Sequence, residues 1–337
     1  MEYKILGNTG VKVSSLCFGT MSFGDDADPE TSAAMFHRCR EAGINFFDCA
    51  NGYAGGRSEE ILGDLIADCR DEVIITSKVY FPIGPDINAR GASRRHIKIA
   101  VEASLKRLKT DRIDLYFIHR FDDNTPIEET LRVLDDLVRE GKILYPAASN
   151  FAAWQVAKAL GISAREGLAR FECLQPMYNL VKRQAEVELL PMAQSENLGV
   201  IPYSPLGAGL LTGKYGRDRR PDSGRLIDNA MYTTRYGEGW VYDVAENYTS
   251  FAKEHGYNPV SLAVAWVTAH PAVTAPIIGA RNLNQLADSL NSVDIDITPE
   301  LWAEISALSP EPPPATDRTE ERTAFNYAAQ LSKANKK

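Results

Sequence analysis

The sequence predicts one (β/α)8 barrel, and three observations carry that prediction. Short apolar runs rich in β-branched and aromatic residues recur about every 30 to 40 residues, each followed by a stretch of helical period, which is the rhythm of βα units. The runs are apolar on both faces while the helical stretches carry a single apolar stripe, as in a parallel sheet wrapped by helices. No Pro/Gly/Ser-rich linker divides the units, and an evenly repeated pattern closes more naturally into one barrel than into two open sheets.

In order, the expected strands are Leu16–Thr20, Asn45–Cys49, Val73–Lys78, Ile113–His119, Ile143–Ser149, Phe171–Met177, Val200–Leu206 and Thr274–Gly279. Helices announce their starts at Asp28 before Pro29, at Ser58 before Glu59-Glu60, at Thr125-Pro126-Ile127-Glu128 as a capping box, and at Asn258 before Pro259. After Pro126, the residues Ile127, Leu131, Leu134 and Val138 form one stripe, and Ile97, Val101, Leu105 and Leu108 repeat it one unit earlier. Two segments break the rhythm. Gly207 to Trp240, rich in Gly, Arg, Asp and Tyr, follows the seventh strand and is expected to cover the barrel mouth. From Pro310 the chain is proline-rich and charged, so the expected division is a barrel over 1–310 and a tail over 311–337, partly disordered or docked at the rim.

Composition narrows the partners. With 45 acidic against 37 basic residues the net charge is −8, without a long run of one sign, so no surface for nucleic-acid phosphates is expected. The start of the chain is polar, and apolar stretches such as Ser261–Thr268 are far short of a membrane span, so a cytoplasmic protein with no membrane partner is expected. Five scattered cysteines, never spaced Cys-x-x-Cys, fit reduced thiols and give no zinc site. Cys49 reads as a small buried hydrophobe rather than a reactive thiol. Homo-oligomerisation is left open.

Active sites of such barrels lie at the C-terminal ends of the strands, so polar residues at those ends carry the functional reading. Asp48 closes the second strand, Tyr53 follows on its loop, Lys78 ends the third and His119 the fourth. These strands are neighbours, about 4.8 Å apart, so the four side chains can converge. A tyrosine titrates near 10, too weak an acid for neutral pH, but an adjacent ammonium stabilises the phenolate and lowers that value. An aspartate keeps the lysine charged and aimed, and a histidine can orient a carbonyl oxygen or relay a proton. The set would protonate a carbonyl oxygen while hydride reaches its carbon. No side chain supplies hydride, so a nicotinamide cofactor is expected. Each residue alone has a structural explanation; their common position makes the set specific.

From about Tyr3 to Leu290 the sequence resembles the aldo-keto reductase superfamily, and its bacterial branches related to the potassium-channel beta subunits look closest. The resemblance rests on Lys4-Ile5-Leu6-Gly7-Asn8-Thr9-Gly10, Phe18-Gly19-Thr20-Met21, Phe46-Phe47-Asp48 with Tyr53, Ser58-Glu59-Glu60, Thr76-Ser77-Lys78, Asp114-Leu115-Tyr116 with His119, Ala148-Ser149-Asn150-Phe151, Gln175 with Tyr178-Asn179, Tyr203-Ser204-Pro205-Leu206 and Ile278-Gly279-Ala280-Arg281. It implies a catalytic tetrad of Asp48, Tyr53, Lys78 and His119, with Tyr53 as general acid, and NADPH as the cofactor. It further implies that Ser149, Asn150 and Gln175 hydrogen-bond the carboxamide and that Tyr203 stacks on the nicotinamide. Gly19, Thr20 and Asp48 would border the nicotinamide ribose, with Met21 a further cofactor-binding residue, Ser204, Leu206, Gly209 and Lys214 would follow the pyrophosphate, and Gly279, Arg281, Gln285 and Ser289 would hold the adenosine end. No Gly-x-Gly-x-x-Gly follows the first strand, which argues against a Rossmann domain.

Departures from the family pattern are Cys49 and Gly52 in the loop after the second strand, where Gly52 could loosen Tyr53, Ser289 in place of an Asn near the adenine, and Tyr145-Pro146-Ala147-Ala148 before Ser149. Arg281 is expected to grip the 2′-phosphate, the competing reading being a loop cap or a pair with Asp288. Expected substrate walls are Tyr80, Phe81, Arg120 and Trp240, with Met21, Phe23, Phe121, Phe151, Tyr232 and Tyr236 as further candidates. That cup suits an aryl or alkyl carbonyl compound, and Arg120 either favours a carboxylate or polyol or pairs with Asp122 or Asp123. The expected function is NADPH-dependent reduction of aldehydes or ketones. The alternative is a nucleotide-binding regulatory subunit of the potassium-channel beta type with slow or no turnover.

Overall fold

The computed structural model describes residues 1–325, and it opens with an element the sequence reading missed, an antiparallel hairpin of β1 (Tyr3–Ile5) and β2 (Lys12–Ser14). Three-residue strands are too short to show a period, although Gly7-Asn8-Thr9-Gly10 is a turn signal. The hairpin buries Leu6 and Val13 against Cys17, Phe46, Leu115 and Phe117, closing the N-terminal end of the barrel interior.

Eight parallel strands follow: β3 (Cys17–Gly19), β4 (Phe46–Asp48), β5 (Ile74–Val79), β6 (Ile113–Ile118), β7 (Ile143–Ser149), β8 (Cys173–Gln175), β9 (Gly199–Val200) and β10 (Ile277–Ile278). They form one curled sheet in the order β10-β3-β4-β5-β6-β7-β8-β9. Its ends are drawn together where the amides of Thr274 and Ile277 donate to the carbonyls of Val200 and Pro202, at 2.9 and 2.8 Å. Several strands are shorter than expected, with β8, β9 and β10 reduced to two or three residues. Pro176, Pro202 and Pro276 flank them and have no N–H to continue the ladder.

The helices are α1 (Pro29–Glu41), α2 (Arg57–Leu65), α3 (Arg94–Leu108), α4 (Ile127–Arg139), α5 (Ala153–Glu166), α6 (Leu189–Ser195), α7 (Arg225–Asp228), α8 (Ala230–Arg235), α9 (Gly239–Glu254), α10 (Pro259–Thr268), α11 (Leu283–Leu290) and α12 (Pro299–Ser306). Asp28 and Asn258 cap α1 and α10 as expected, each side chain accepting a first-turn amide. Two expected starts are corrected. Helix α2 begins at Arg57 behind Gly56, whose φ of 100° turns the chain, while Ser58 donates across to the carbonyl of Thr20 at 2.7 Å. Pro126 occupies the cap position of α4 and has no side chain to accept, so there is no capping box; the Thr125 hydroxyl donates instead to Asp122. Among the described residues no helix is long and apolar enough to cross a membrane, and no three His, Cys, Asp or Glu side chains cluster as a metal site.

Gly207–Trp240 holds a 3-10 turn, Gly207–Thr212, the short helices α7 and α8, and the first residues of α9. Of the tail, residues 326–337 lie outside the described residues; the part before them ends in a 3-10 turn at Thr319–Arg322.

Strand alternation sorts the core into two layers. Phe46, Leu115, Phe117, Ala147 and Cys173 face the barrel interior, while Phe47, Ile75, Tyr116, Ile118 and Ala148 pack between sheet and helices. Two residues beyond an interior residue lies another interior position. Continuing the interior columns toward the C-terminal ends reaches Gly19, Asp48, Lys78, His119, Ser149 and Gln175.

Candidate active site

Asp48 and Lys78 stand at the tops of adjacent strands, where Asp48 pairs with Thr76 in the β4–β5 register. The Lys78 ammonium, 0% exposed, donates to Asp48 Oδ2 at 2.6 Å, to the Cys49 carbonyl at 2.7 Å and to the Tyr53 hydroxyl at 3.2 Å. The other oxygen of Asp48 accepts from Thr76 Oγ1 at 2.6 Å and Gln175 Nε2 at 2.8 Å. A buried carboxylate and a buried ammonium are thus each paired and hydrogen-bonded, the condition under which such charges persist in a core. Thr76 was not singled out as a site residue, although its place two residues before Lys78 puts it on the same strand face.

Tyr53 is carried by a sharp turn. Ala54, Gly55 and Gly56 follow with φ of 48°, 64° and 100°, and Ala54 holds that left-handed geometry without being glycine. The turn swings the chain into α2 and leaves the Tyr53 ring beside Lys78, whose Nζ is 4.9 Å from its centroid. Gly52, expected to loosen this loop, has a φ of −90° and open space where a Cβ would stand, so its backbone asks for no glycine.

His119 lies edge-on to Tyr53, with ring centroids 6.1 Å apart. Burial, helped by the Lys78 charge, holds its pKa well below the usual histidine value, so the ring is neutral. Tyr53 differs from the expectation of a lowered value. Burial of the phenol outweighs the Lys78 charge and pushes its pKa up to about 12, although Lys78 acts in the expected direction. The phenol therefore keeps its proton at neutral pH. Burial alone would pull Lys78 down, but Asp48 and Tyr53 more than offset it and the ammonium stays charged. Cys49 is buried beside Ser58, and burial pushes its thiol up to about 12.

The adjoining polar groups form one connected set. Ser149 Oγ donates to the carbonyl of Gln175 at 2.9 Å, Asn150 Nδ2 donates to the His119 carbonyl at 2.9 Å and to Ser149 Oγ at 3.1 Å, and the Tyr203 hydroxyl donates to Asn150 Oδ1 at 2.8 Å. Asn150 and Ser204 both sit in the left-handed region, with φ of 56° and 59°. Gly209, φ 96°, has the Lys214 side chain alongside, and Gly279 lies against the Gly19 carbonyl. Gly19 itself admits no side chain, since a Cβ would come within 2.7 Å of Ile277. At the far end Arg281 pairs with Asp26 at 3.0 Å and not with Asp288, which accepts from Asn258. The Arg281 amide donates to Gln285 Oε1, and Ser289 is buried with no partner for its hydroxyl among the described residues. Thr20 is also buried, donating to the Asp48 carbonyl, while Met21 and Leu206 are partly open.

The expected substrate walls divide. Phe81 is 43% exposed and meets His119 edge-on at 4.8 Å, with Tyr80 packed against it at 5.4 Å. Arg120 is exposed and has no ion pair among the described residues; Asp122 instead accepts from the Ala92 and Asn124 amides and from Thr125. Trp240 is half-buried and donates to Glu238. Phe121 is half-buried, next to the exposed Trp154. Four further candidates are corrected to core: Phe23 packs on Phe18, Phe151 lies between Phe121 and Phe171, and Tyr232 and Tyr236 are buried within the long loop itself. Aromatic residues in a loop read alike from sequence whether they face a cavity or pack beneath it.

A parallel eight-stranded sheet carries Asp48, Lys78, His119 and Tyr53 together at its C-terminal end, an arrangement able to hold a proton at a phenol beside a buried ammonium. Residues 15–310 match the Aldo/keto reductase family, and the chain belongs to that family. It is 38% identical over 327 residues to an uncharacterized oxidoreductase, YrpG, of Bacillus subtilis, covering 93% of this chain and 97% of that protein. A probable voltage-gated potassium channel subunit beta of Oryza sativa is 35% identical, covering 94% of this chain and 99% of its own. Versiconal hemiacetal acetate reductase of Aspergillus parasiticus is 32% identical, covering 88% and 93%.

Proposed function

We propose that this chain is a cytoplasmic, NADPH-dependent reductase of aldehydes or ketones in which Tyr53 donates the proton to the carbonyl oxygen. The observation that carries the reading is the single buried ammonium of Lys78 shared by Asp48 and the Tyr53 hydroxyl. Bound nicotinamide would supply the hydride. The chain does the rest: Tyr53 holds a proton at its hydroxyl, Lys78 stabilises the negative charge left there when the proton leaves, and neutral His119 can donate to the same carbonyl oxygen. Asp48, anchored by Thr76 and Gln175, keeps Lys78 charged and aimed.

The residues present fit the cofactor. Ser149, Asn150 and Gln175 would read the carboxamide, Tyr203 would offer its ring, Lys214 beside Gly209 would meet the pyrophosphate, and Gly279 leaves open a space that a side chain would enter. Arg281 would take the 2′-phosphate, exchanging Asp26 for it. Substrates of aryl or alkyl character suit Phe81 and Tyr80 beside His119. Quenching of tryptophan fluorescence by NADPH, followed by turnover on a panel of carbonyl compounds at fixed NADPH, tests the reading; absence of both overturns it. The relatives with channel-subunit names support the second reading, a regulatory nucleotide-binding subunit, for which NADPH would bind without appreciable turnover.

A further inference from the structure

Asn179 belongs to no part of the reaction described above, yet every polar atom it has is committed. It is 0% exposed, its backbone exchanges hydrogen bonds with Lys182, and its Oδ1 accepts from the Val181 amide at 3.1 Å. The two protons of its Nδ2 go to different elements. One is donated to the carbonyl of Ser204 at 2.9 Å and the other to the hydroxyl of Tyr236 at 3.2 Å. Ser204 is a non-glycine residue in the left-handed region, φ 59°, and its carbonyl also accepts from Gly207, closing the turn that starts the long loop. Such a conformation persists only where its surroundings over-determine it. Tyr236, fully buried, ends α8 in the same loop, and the Gly207 Cβ position lies 3.7 Å from its ring.

We propose that Asn179 is a positioning residue that locks the Tyr203–Ser204 elbow and couples it to the loop over 207–240, so that seating of the loop and presentation of the nicotinamide platform are one event. A planar amide with two donors suits this task, because one side chain satisfies a strained carbonyl and a hydroxyl together while its oxygen stays tied to Val181. The functional consequence rests on the nicotinamide reading above; the coupling itself does not.

Two variants test it. Asn179→Leu removes both donors and the Oδ1 acceptor at nearly constant size, and Tyr236→Phe removes the loop-side partner together with that hydroxyl's contact to Met177 Sδ, a milder change that should fold. In hydrogen exchange on the protein without nucleotide, Asn179→Leu is expected to speed exchange of the Gly207 amide and of loop amides over 207–240 by about tenfold or more, with Tyr236→Phe showing a smaller acceleration in the same amides. In fluorescence titration, the Kd for NADPH is expected to rise about tenfold in Asn179→Leu, while the pH profile of the remaining activity stays that of the parent because the tetrad is untouched. Unchanged exchange across 207–240 in Tyr236→Phe and in folded Asn179→Leu overturns the coupling. Faster exchange with an unchanged Kd overturns the positioning role. Should the parent protein bind no nicotinamide nucleotide, the reductase reading falls, and the exchange data alone decide the coupling.

Discussion

Replacing Lys78 by Met deletes one charge from the centre of the candidate site and keeps the length of the side chain. At 2.6 Å, and with an effective dielectric of roughly 20, the attraction between Lys78 and Asp48 is about 6 kcal/mol before desolvation is counted. Both groups are buried, so most of that attraction offsets the desolvation of the pair. What the variant exposes is the orphaned partner. Removing one member of a buried pair costs about 3 to 5 kcal/mol, and Asp48 keeps its bonds from Thr76 and Gln175, so a loss of about 3 kcal/mol is expected. Urea unfolding followed by far-ultraviolet circular dichroism measures it. The double variant Lys78→Met with Asp48→Asn removes the uncompensated charge and should be less destabilised than the sum of its singles by about 1 kcal/mol or more. Turnover of Lys78→Met should fall with the shortfall largest at neutral pH, since Tyr53 then lacks the charge that partly offsets its burial. Stability within about 0.5 kcal/mol of the parent, or strict additivity in the double variant, would refute the reasoning.

Tyr53→Phe should retain NADPH binding and lose about 100- to 10,000-fold in carbonyl reduction, and a variant keeping half the parent turnover would remove Tyr53 as the acid. The same variant should flatten the alkaline limb of stability: Tyr53 titrates at about 12 folded and near 10 unfolded, so its contribution is present below pH 10 and is lost as pH rises toward 12. His119 works in the opposite sense, because its folded pKa lies well below the unfolded value near 6.5 and stability falls as pH drops below that value; His119→Gln should make the acid limb shallower in matched urea titrations. Arg281→Ala should weaken NADPH by roughly 10- to 150-fold with little change for NADH, and Asp26→Asn should tighten NADPH by freeing the guanidinium, both read by fluorescence titration; equal losses for the two nucleotides would leave Arg281 structural.

Much of this was legible in the chain itself. Alternation with period two fixes which strand residues face the barrel interior, so Asp48, Lys78 and His119 could be placed together from spacing alone, and Asp28 and Asn258 marked their helices by chemistry that acts within three residues. Local signals failed where a residue has two possible uses. Ser58 and Thr125 are good caps by type, yet one bonds the Thr20 carbonyl and the other Asp122, because Gly56 and Pro126 already occupy the turns. Only the packed structure decided that burial outweighs Lys78 in setting the Tyr53 phenol, that Arg281 faces Asp26 from a distant loop, and that Asn179 joins Ser204 to Tyr236. Each of these depends on groups far apart in sequence and on how much water the fold removes between them, quantities that periodicity and capping chemistry do not encode.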